Sequence, residues 1–300
     1  MKLTSLIVSA ALASAEVGIL LPLYEYPTTD SGIEDWGAVL RAMDAHPGLP
    51  FHIIINNNGG APYEEHPPFN SKDWAKLLGE INGKPKSSLL GYISTGSSGR
   101  SIDGVKRGID QYAAWKTHEG LENPPVQHNI QIHGIFFDEI DTDSSKLPYN
   151  KEITNYAKTA FQSRGPVILN PGSTLQAGSE SLLDIADVVV SMETCYSNSE
   201  GATDPDGKVR CPKGQFTPFS ASAVDSLPNP SKSSVMLHDF YETWSPFYAS
   251  SSKLEDTVKV IVGKGVHSFY ITTFGYTANF TSGPASVSVV ASLAARVQGL

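Results

Sequence analysis

Apolar residues in this chain fall in short, nearly unbroken runs rather than in strict alternation with polar ones. The runs cover 17–26, 51–56, 89–95, 132–138, 167–170, 187–193, 235–240 and 267–274, and are rich in Ile, Val, Leu and Phe. Strands covered on both faces read this way, as in a parallel sheet, because neither set of alternate side chains meets water. Between them lie stretches with helical spacing at 33–45, 72–81, 102–118, 150–163 and 254–263. Ser71, Asp73 and Ser101 stand where helix N-termini want a side-chain acceptor. The unit after the fifth run is irregular, with 179–185 as its available helix. The sixth is interrupted by a Gly-, Asp- and Pro-rich segment and by the Pro-rich stretch 217–230.

About eight strand–helix units in a chain of 300 residues predict an α/β protein, a single-domain (β/α)8 TIM barrel. A doubly wound open sheet is the alternative. Its dinucleotide-binding form wants Gly-x-Gly-x-x-Gly after the first strand, where this chain has Leu20-Leu21-Pro22-Leu23-Tyr24 running into Tyr26-Pro27. No internal repeat or flexible linker divides the chain.

The amino terminus stands apart. Met1-Lys2 gives a positive start, Leu3 to Leu12 an apolar run, and Ala13-Ser14-Ala15 the small-x-small pattern of a cleavage site. Residues 1–15 are therefore expected to be a signal peptide, leaving a barrel domain of 16–300 in a secreted, extracellular or wall-associated protein. The apolar run is shorter than the roughly 20 residues of a membrane span, and no later segment is long and apolar enough. Lys plus Arg is 22 against 31 Asp plus Glu, a net charge of −9, with no basic cluster. Nucleic acid and anionic membranes are thus poor partners. A monomer without a cofactor is expected. Two cysteines, Cys195 and Cys211, fit an oxidising compartment and are expected to form one disulfide across the Gly/Asp/Pro-rich segment. Asn279-Phe280-Thr281 is a glycosylation sequon.

In a barrel the strand ends and the loops after them make the active face. Polar residues there include Tyr24, Tyr26, Asn56, Asn57, Tyr92, Thr95, Asp138, Glu139, Asn170, Glu193, His238, Asp239, Thr272, Thr273 and Tyr276. Carboxylates, amides and tyrosines suit a carbohydrate. The sharpest feature is Gly134-Ile135-Phe136-Phe137-Asp138-Glu139-Ile140-Asp141, an apolar strand driving into acids. Ending a hydrophobic strand in carboxylates is costly unless they emerge at a wet, working surface. The plainer reading makes Asp138 or Asp141 a helix cap. Glu193 ends 188–192 in the same way. Strands four and six are close neighbours in a barrel, so the two sites can place carboxyls across one sugar bond, as glycoside hydrolysis requires. Retention and inversion both remain open, because the distance is not in the sequence. Adjacent strand residues face opposite ways. Either the strand ends at Asp138, or one acid works and the other supports it.

Rival chemistries are weaker. His52, His133 and His267 stand at strand starts, no His-Glu-x-x-His is present, and His238-Asp239 reads as a hydrogen-bonded pair, so no metal is expected. There is no Gly-x-Ser-x-Gly elbow. Gly96-Ser97-Ser98-Gly99 lacks the lysine of a phosphate loop. Trp36, Trp74 and Trp115 lie in helical stretches and read as packing, whereas Trp244 and Phe247 follow strand seven and suit sugar stacking.

At these residues the chain resembles the spherulin-4 family of fungal and slime-mould glycoside hydrolases. The matching pieces are Leu21-Pro22-Leu23-Tyr24-Glu25-Tyr26-Pro27, Phe51-His52-Ile53-Ile54-Ile55-Asn56, Leu90-Gly91-Tyr92-Ile93-Ser94-Thr95, Gly134 to Glu139, Asn170-Pro171-Gly172 and Glu193. The resemblance implies a (β/α)8 barrel and an endo-α-1,4-N-acetylgalactosaminidase activity on galactosaminogalactan-like wall or biofilm polysaccharide. It matches Asp138, Glu139 and Glu193 to the acids on which activity depends. The resemblance leaves open which is nucleophile and which acid, and the assignment favoured is Asp138 as nucleophile, Glu193 as acid/base and Glu139 in support. Tyr24, Asn56, Tyr92, Asn170, His238, Trp244 and Tyr276 are the expected substrate contacts. The chain departs from the family pattern at Gly96 to Gly99, at Asn56 to Gly60 and at Thr272-Thr273. The rival from another class is a spore- or cell-wall protein that binds polysaccharide without cutting it. A chitooligosaccharide hydrolase using the substrate's own acetamido group would need acids at alternate positions. Glu139 and Asp141 have that spacing, but Phe137 precedes them.

Overall fold

Each of the eight apolar runs becomes a strand, and the eight close on themselves. The computed structural model describes residues 16–24, 36–55, 72–196, 219–240, 248–275 and 283–300. The strands are β1 (Gly18–Leu23), β2 (Phe51–Ile55), β3 (Ser87–Ser94), the short hairpin β4 (Thr117–Glu119) and β5 (Gln127–Asn129), β6 (Gly134–Asp138), β7 (Val167–Leu169), β8 (Val188–Cys195), β9 (Ser233–His238) and β10 (Ser268–Ile271). All but the hairpin form one closed barrel in the order β1-β2-β3-β6-β7-β8-β9-β10. Every ladder of the barrel is parallel. The helices are α1 (Gly37–Ala45), α2 (Lys72–Asn82), α3 (Ile102–Ala114), α4 (Leu147–Phe161), α5 (Leu182–Ile185), α6 (Ala221–Asp225), α7 (Ser251–Lys264) and α8 (Val287–Gln298). The chain is a single-domain TIM barrel.

Residues paired across a parallel ladder share a face. The pairs Pro22↔Ile54, Ile54↔Leu90, Tyr92↔Phe136 and Phe136↔Ile168 therefore trace one face around the barrel. A Cβ on Gly91, in the opposite phase, would lie 2.5 Å from the Tyr112 ring of α3. The Gly91 face is thus the helix side, and the Tyr92 face is the barrel interior. Asp138, the last residue of β6, keeps that interior phase, and Tyr24 and Asn170 continue it just past the ends of β1 and β7.

On β8 the alternation breaks. Val190 pairs Ser234, yet the next pair is Met192 with Val235, so Ser191 is the extra residue of a β-bulge. The Ser191 carbonyl accepts from Leu175 N at 2.9 Å, and its hydroxyl bonds Ser233 Oγ at 2.8 Å. Beyond the bulge Glu193 pairs Met236 and turns to the interior, where strict alternation from Val190 would have pointed it at the helices.

The helical stretch at 102–118 is corrected at its end. Helix α3 stops at Ala114 because Trp115 turns extended (φ −68, ψ 126), and the residues beyond build the β4–β5 hairpin. That hairpin lies against α2, whose Asn82 Nδ2 donates to Asn129 O and Gln131 O. Helices α6 and α8 were not foreseen. Trp36, Trp74 and Trp115 are buried packing residues, with Trp36 and Trp74 edge to face at 5.2 Å.

Candidate active site

Strand β6 ends at Asp138, and the next residue breaks the β geometry: Glu139 has φ +57, in the left-handed region. That single turn lets two adjacent acids both reach β3 side chains, Tyr92 and Ser94, where a continued strand would turn them to opposite faces. The Asp138 carboxylate accepts from Tyr92 OH at 2.7 Å on Oδ2, and from Asn170 Nδ2 and Glu139 N, both at 2.9 Å, on Oδ1. Ser94 Oγ donates to Glu139 Oε2.

Asn170 joins the strands. It follows β7, and its other amide hydrogen goes to Glu193 Oε2 at 2.7 Å. Gly172 N donates to Asn170 Oδ1 at 3.1 Å, which fixes the amide so that its NH2 faces the acids. One NH2 group thus holds Asp138 and Glu193 together. Their bonded oxygens lie no farther apart than the 2.9 Å and 2.7 Å contacts laid end to end. Asn170 is 4% exposed and Glu193 9%.

Burial pushes the Asp138 carboxyl above the usual Asp range; the donors from Tyr92, Glu139 N and Asn170 work against that, and the Glu139 charge adds to it. Tyr24 and Tyr92 lie edge to face with ring centres 5.4 Å apart. Burial, and then the Asp138 charge, push both phenols well above their ordinary value, so both stay neutral hydrogen-bond donors. The wall of the site is therefore two neutral tyrosines beside three carboxylates.

Of the residues singled out from the sequence, Asp138, Glu139, Glu193, Asn170, Tyr92 and Tyr24 are brought together here. Asn170 bridges the two acids, a different part from the substrate contact expected of it. His238 ends β9 on the interior phase beside Cys195, and its Nδ1 bonds Asp239 Oδ2 at 2.6 Å. Asp141 bonds Asp143 N at 2.9 Å and shapes the loop. Asn56, Trp244, Tyr276, Cys211 and Asn279 lie outside the described residues, as do residues 1–15, Tyr26, Asn57 and Phe247. No described cysteine carries a free thiol.

Among the described residues, Cys195, His238 and Asp239 alone cluster as metal ligands do, with donor atoms within 4.8 Å of one another. The Cys195 sulfur is disulfide-bonded and so offers no thiolate, and His238 Nδ1 is engaged by Asp239 at 2.6 Å. This donor set does not fit a metal ion.

Sequence reasoning passed over Ser94, the Ser191 bulge and the bridging use of Asn170. For Ser94 the only signal is its place one residue before a polar strand end.

A family model described as spherulation-specific family 4 matches residues 18–293. Spherulin-4 of Physarum polycephalum is 29% identical over 190 residues, 63% of this chain and 48% of that protein, so the chain spans about half the length of that relative. Among solved structures, Aspergillus clavatus Sph3, crystallised in complex with GalNAc, superimposes with a TM-score of 0.68 at 24% identity, over 93% of this chain and 98% of that one. The group IV chitinase of Ostrinia furnacalis does so with a TM-score of 0.56 at 7% identity, over 93% and 100%. Both likenesses are of fold.

Proposed function

The chain belongs to spherulation-specific family 4, and from that premise we propose that it is a glycoside hydrolase working through Asp138 and Glu193. The observation that carries the reading is the Asn170 amide shared between the two carboxylates. The two contacts limit the separation of the bonded oxygens to less than the roughly 6.5–9.5 Å that an inverting pair keeps for water, which favours a retaining pair, whose carboxyls stand about 5–5.5 Å apart.

The chemistry follows from the two environments. Asp138 is assigned as nucleophile: burial raises its carboxyl, and the three donors that converge on it oppose that rise and favour the ionised form the attack needs. It attacks the anomeric carbon while Glu193 gives its proton to the departing glycosidic oxygen. The sugar is then covalently bound through Asp138 Oδ. Glu193, now ionised, takes a proton from water as the water oxygen displaces Asp138 from the anomeric carbon, a second inversion that restores the original configuration. Glu139 lends negative charge beside the oxocarbenium-like transition state. Tyr24 offers a neutral hydroxyl to the sugar, while Tyr92 keeps its own on Asp138.

The substrate we propose is an α-1,4-linked polysaccharide containing N-acetylgalactosamine, cut within the chain by a secreted enzyme whose Cys195 is disulfide-bonded to Cys211. The family resemblance supports this, as does the fold shared with a protein crystallised with GalNAc. The test counts new reducing ends from galactosaminogalactan and from chitin, with the wild type and with Glu193→Gln. Release from the first polymer, abolished by the substitution, is expected. Binding to polymer without release would favour the wall-binding alternative, and release from chitin alone would replace the proposed substrate.

A further inference from the structure

The loop after β3 is a strained segment of the fold. Gly96, Ser97 and Ser98 follow one another with φ of +57, +53 and +55, three left-handed residues in a row of which only one is glycine. A side chain in that region costs roughly 1–2 kcal/mol per residue. Strain of this kind persists where surrounding contacts over-determine it, and it gathers at functional sites.

The turn presents two hydroxyls to the acid-bearing segment of β6. Thr95, fully buried, sits at its start. Its backbone N–H donates to Asp138 O at 3.0 Å. Its hydroxyl donates to Glu139 O at 2.7 Å, with Asp138 O at 3.1 Å as the weaker acceptor, and accepts from Ser98 N at 3.3 Å. Ser98 Oγ in turn accepts from Asp141 N at 3.3 Å and donates to Asn150 Oδ1 at 3.0 Å, while Asn150 Nδ2 donates to Asp141 O at 2.9 Å. Arg100 N closes the turn on Thr95 O at 3.0 Å.

We infer that Thr95 is a positioning residue whose hydroxyl and N–H hold the Asp138–Glu139 peptide in its left-handed turn, so that two neighbouring acids serve one site. The inference rests on the reading of Asp138 and Glu139 as working acids. A left-handed Glu has to be held there, since its relaxed conformation continues the strand and turns its carboxylate out of the site. Thr95 grips the carbonyls on both sides of that residue, and one hydroxyl proton suffices because the shorter contact takes it. Its grip leaves Glu139 Oε2 free to be set separately by Ser94.

The test uses Thr95→Val, which keeps shape and loses the hydroxyl, with Thr95→Ser as the variant that restores it. On a soluble oligosaccharide substrate, T95V is expected to lose about tenfold to a hundredfold in kcat, the scale of a misplacement of roughly 1 Å, with KM little changed. T95S should recover most of the loss. A T95V protein that folds and keeps wild-type kcat overturns the inference. A second readout does not depend on activity at all. The urea-midpoint loss caused by T95V should be larger in a Glu139→Gly background, because a released Glu139 recovers its left-handed strain and offsets part of the loss, whereas glycine has none to recover. An equal loss in both backgrounds means that Thr95 is merely a satisfied buried hydroxyl and overturns the inference. Were the wild type inactive on every polymer, the hydrolase reading would fail while this cycle still judged the clamp.

Discussion

Asn170 shows how much of the site depends on one uncharged side chain. Two carboxylates brought this close repel, and the shared NH2 group offsets part of that by donating to both. Asn170→Ala removes both bonds at once. A fall in kcat of about a hundredfold is expected, with little change in thermal midpoint, because the carboxylates separate without disturbing the barrel. Steady-state kinetics beside a melting curve measures this, and an unchanged kcat refutes the bridging role. Asp138→Asn and Glu193→Gln should each abolish hydrolysis in a folded protein. That Asp138, Glu139 and Glu193 stand at strand ends was legible in the sequence, since an apolar run breaking into acids marks where a strand meets water. The amide was legible only as a polar strand end. Its bridging needs the fold, which brings the ends of β6, β7 and β8 side by side.

At the scale of elements, all eight barrel strands were readable because unbroken apolar runs mean burial on both faces. What failed was weaker patterning. Helix α8 buries Val287, Val290, Ala291, Ala294 and Ala295, a sound helical spacing written mostly in alanine, which carries little hydrophobic contrast. The β4–β5 strands are three residues each and polar, below any periodicity that can be read. The Ser191 bulge was invisible too, since one extra residue in a run of Val, Ser and Met leaves no compositional mark. Yet it decides that Glu193 faces the barrel interior. The packing of α3 on β3 makes a sharper claim. A Cβ at Gly91 would meet the Tyr112 ring at 2.5 Å. Gly91→Ala is expected to destabilise the protein by about 1–3 kcal/mol, as overpacked sites do, and urea denaturation gives the value. A midpoint equal to wild type would contradict the described contact.

For the whole molecule, acid should weaken the fold through its barrel floor. His52 and His267 stack there with ring centres 4.8 Å apart, and Ser88 Oγ bonds His52 Nδ1 at 2.7 Å. Burial, then the neighbouring His267, push His52 down from 6.5 to about 3. Burial lowers His267 as well, against a small opposing pull from Asp187. A histidine with a depressed folded value binds its proton more readily when unfolded. Its contribution is therefore complete above 6.5 and is lost as pH falls toward 3. The slope is at most about 1.4 kcal/mol per pH unit for one such group. Asp138 has the opposite sign, because its raised folded value favours the protonated folded state as pH falls. His52→Gln should flatten the fall in stability between pH 6.5 and 4, read from urea midpoints across pH, and an unchanged slope would remove His52 as its cause.

The central claim, that Asp138 and Glu193 form a retaining pair, meets its most direct test in the anomeric proton signals of the product. An α-1,4-linked N-acetylgalactosamine oligomer is cleaved in the spectrometer, and the first new reducing end is read before mutarotation mixes the anomers. The account predicts an α-configured product from the wild type and none from Glu193→Gln. A β-configured first product, or cleavage that survives the substitution, would contradict it.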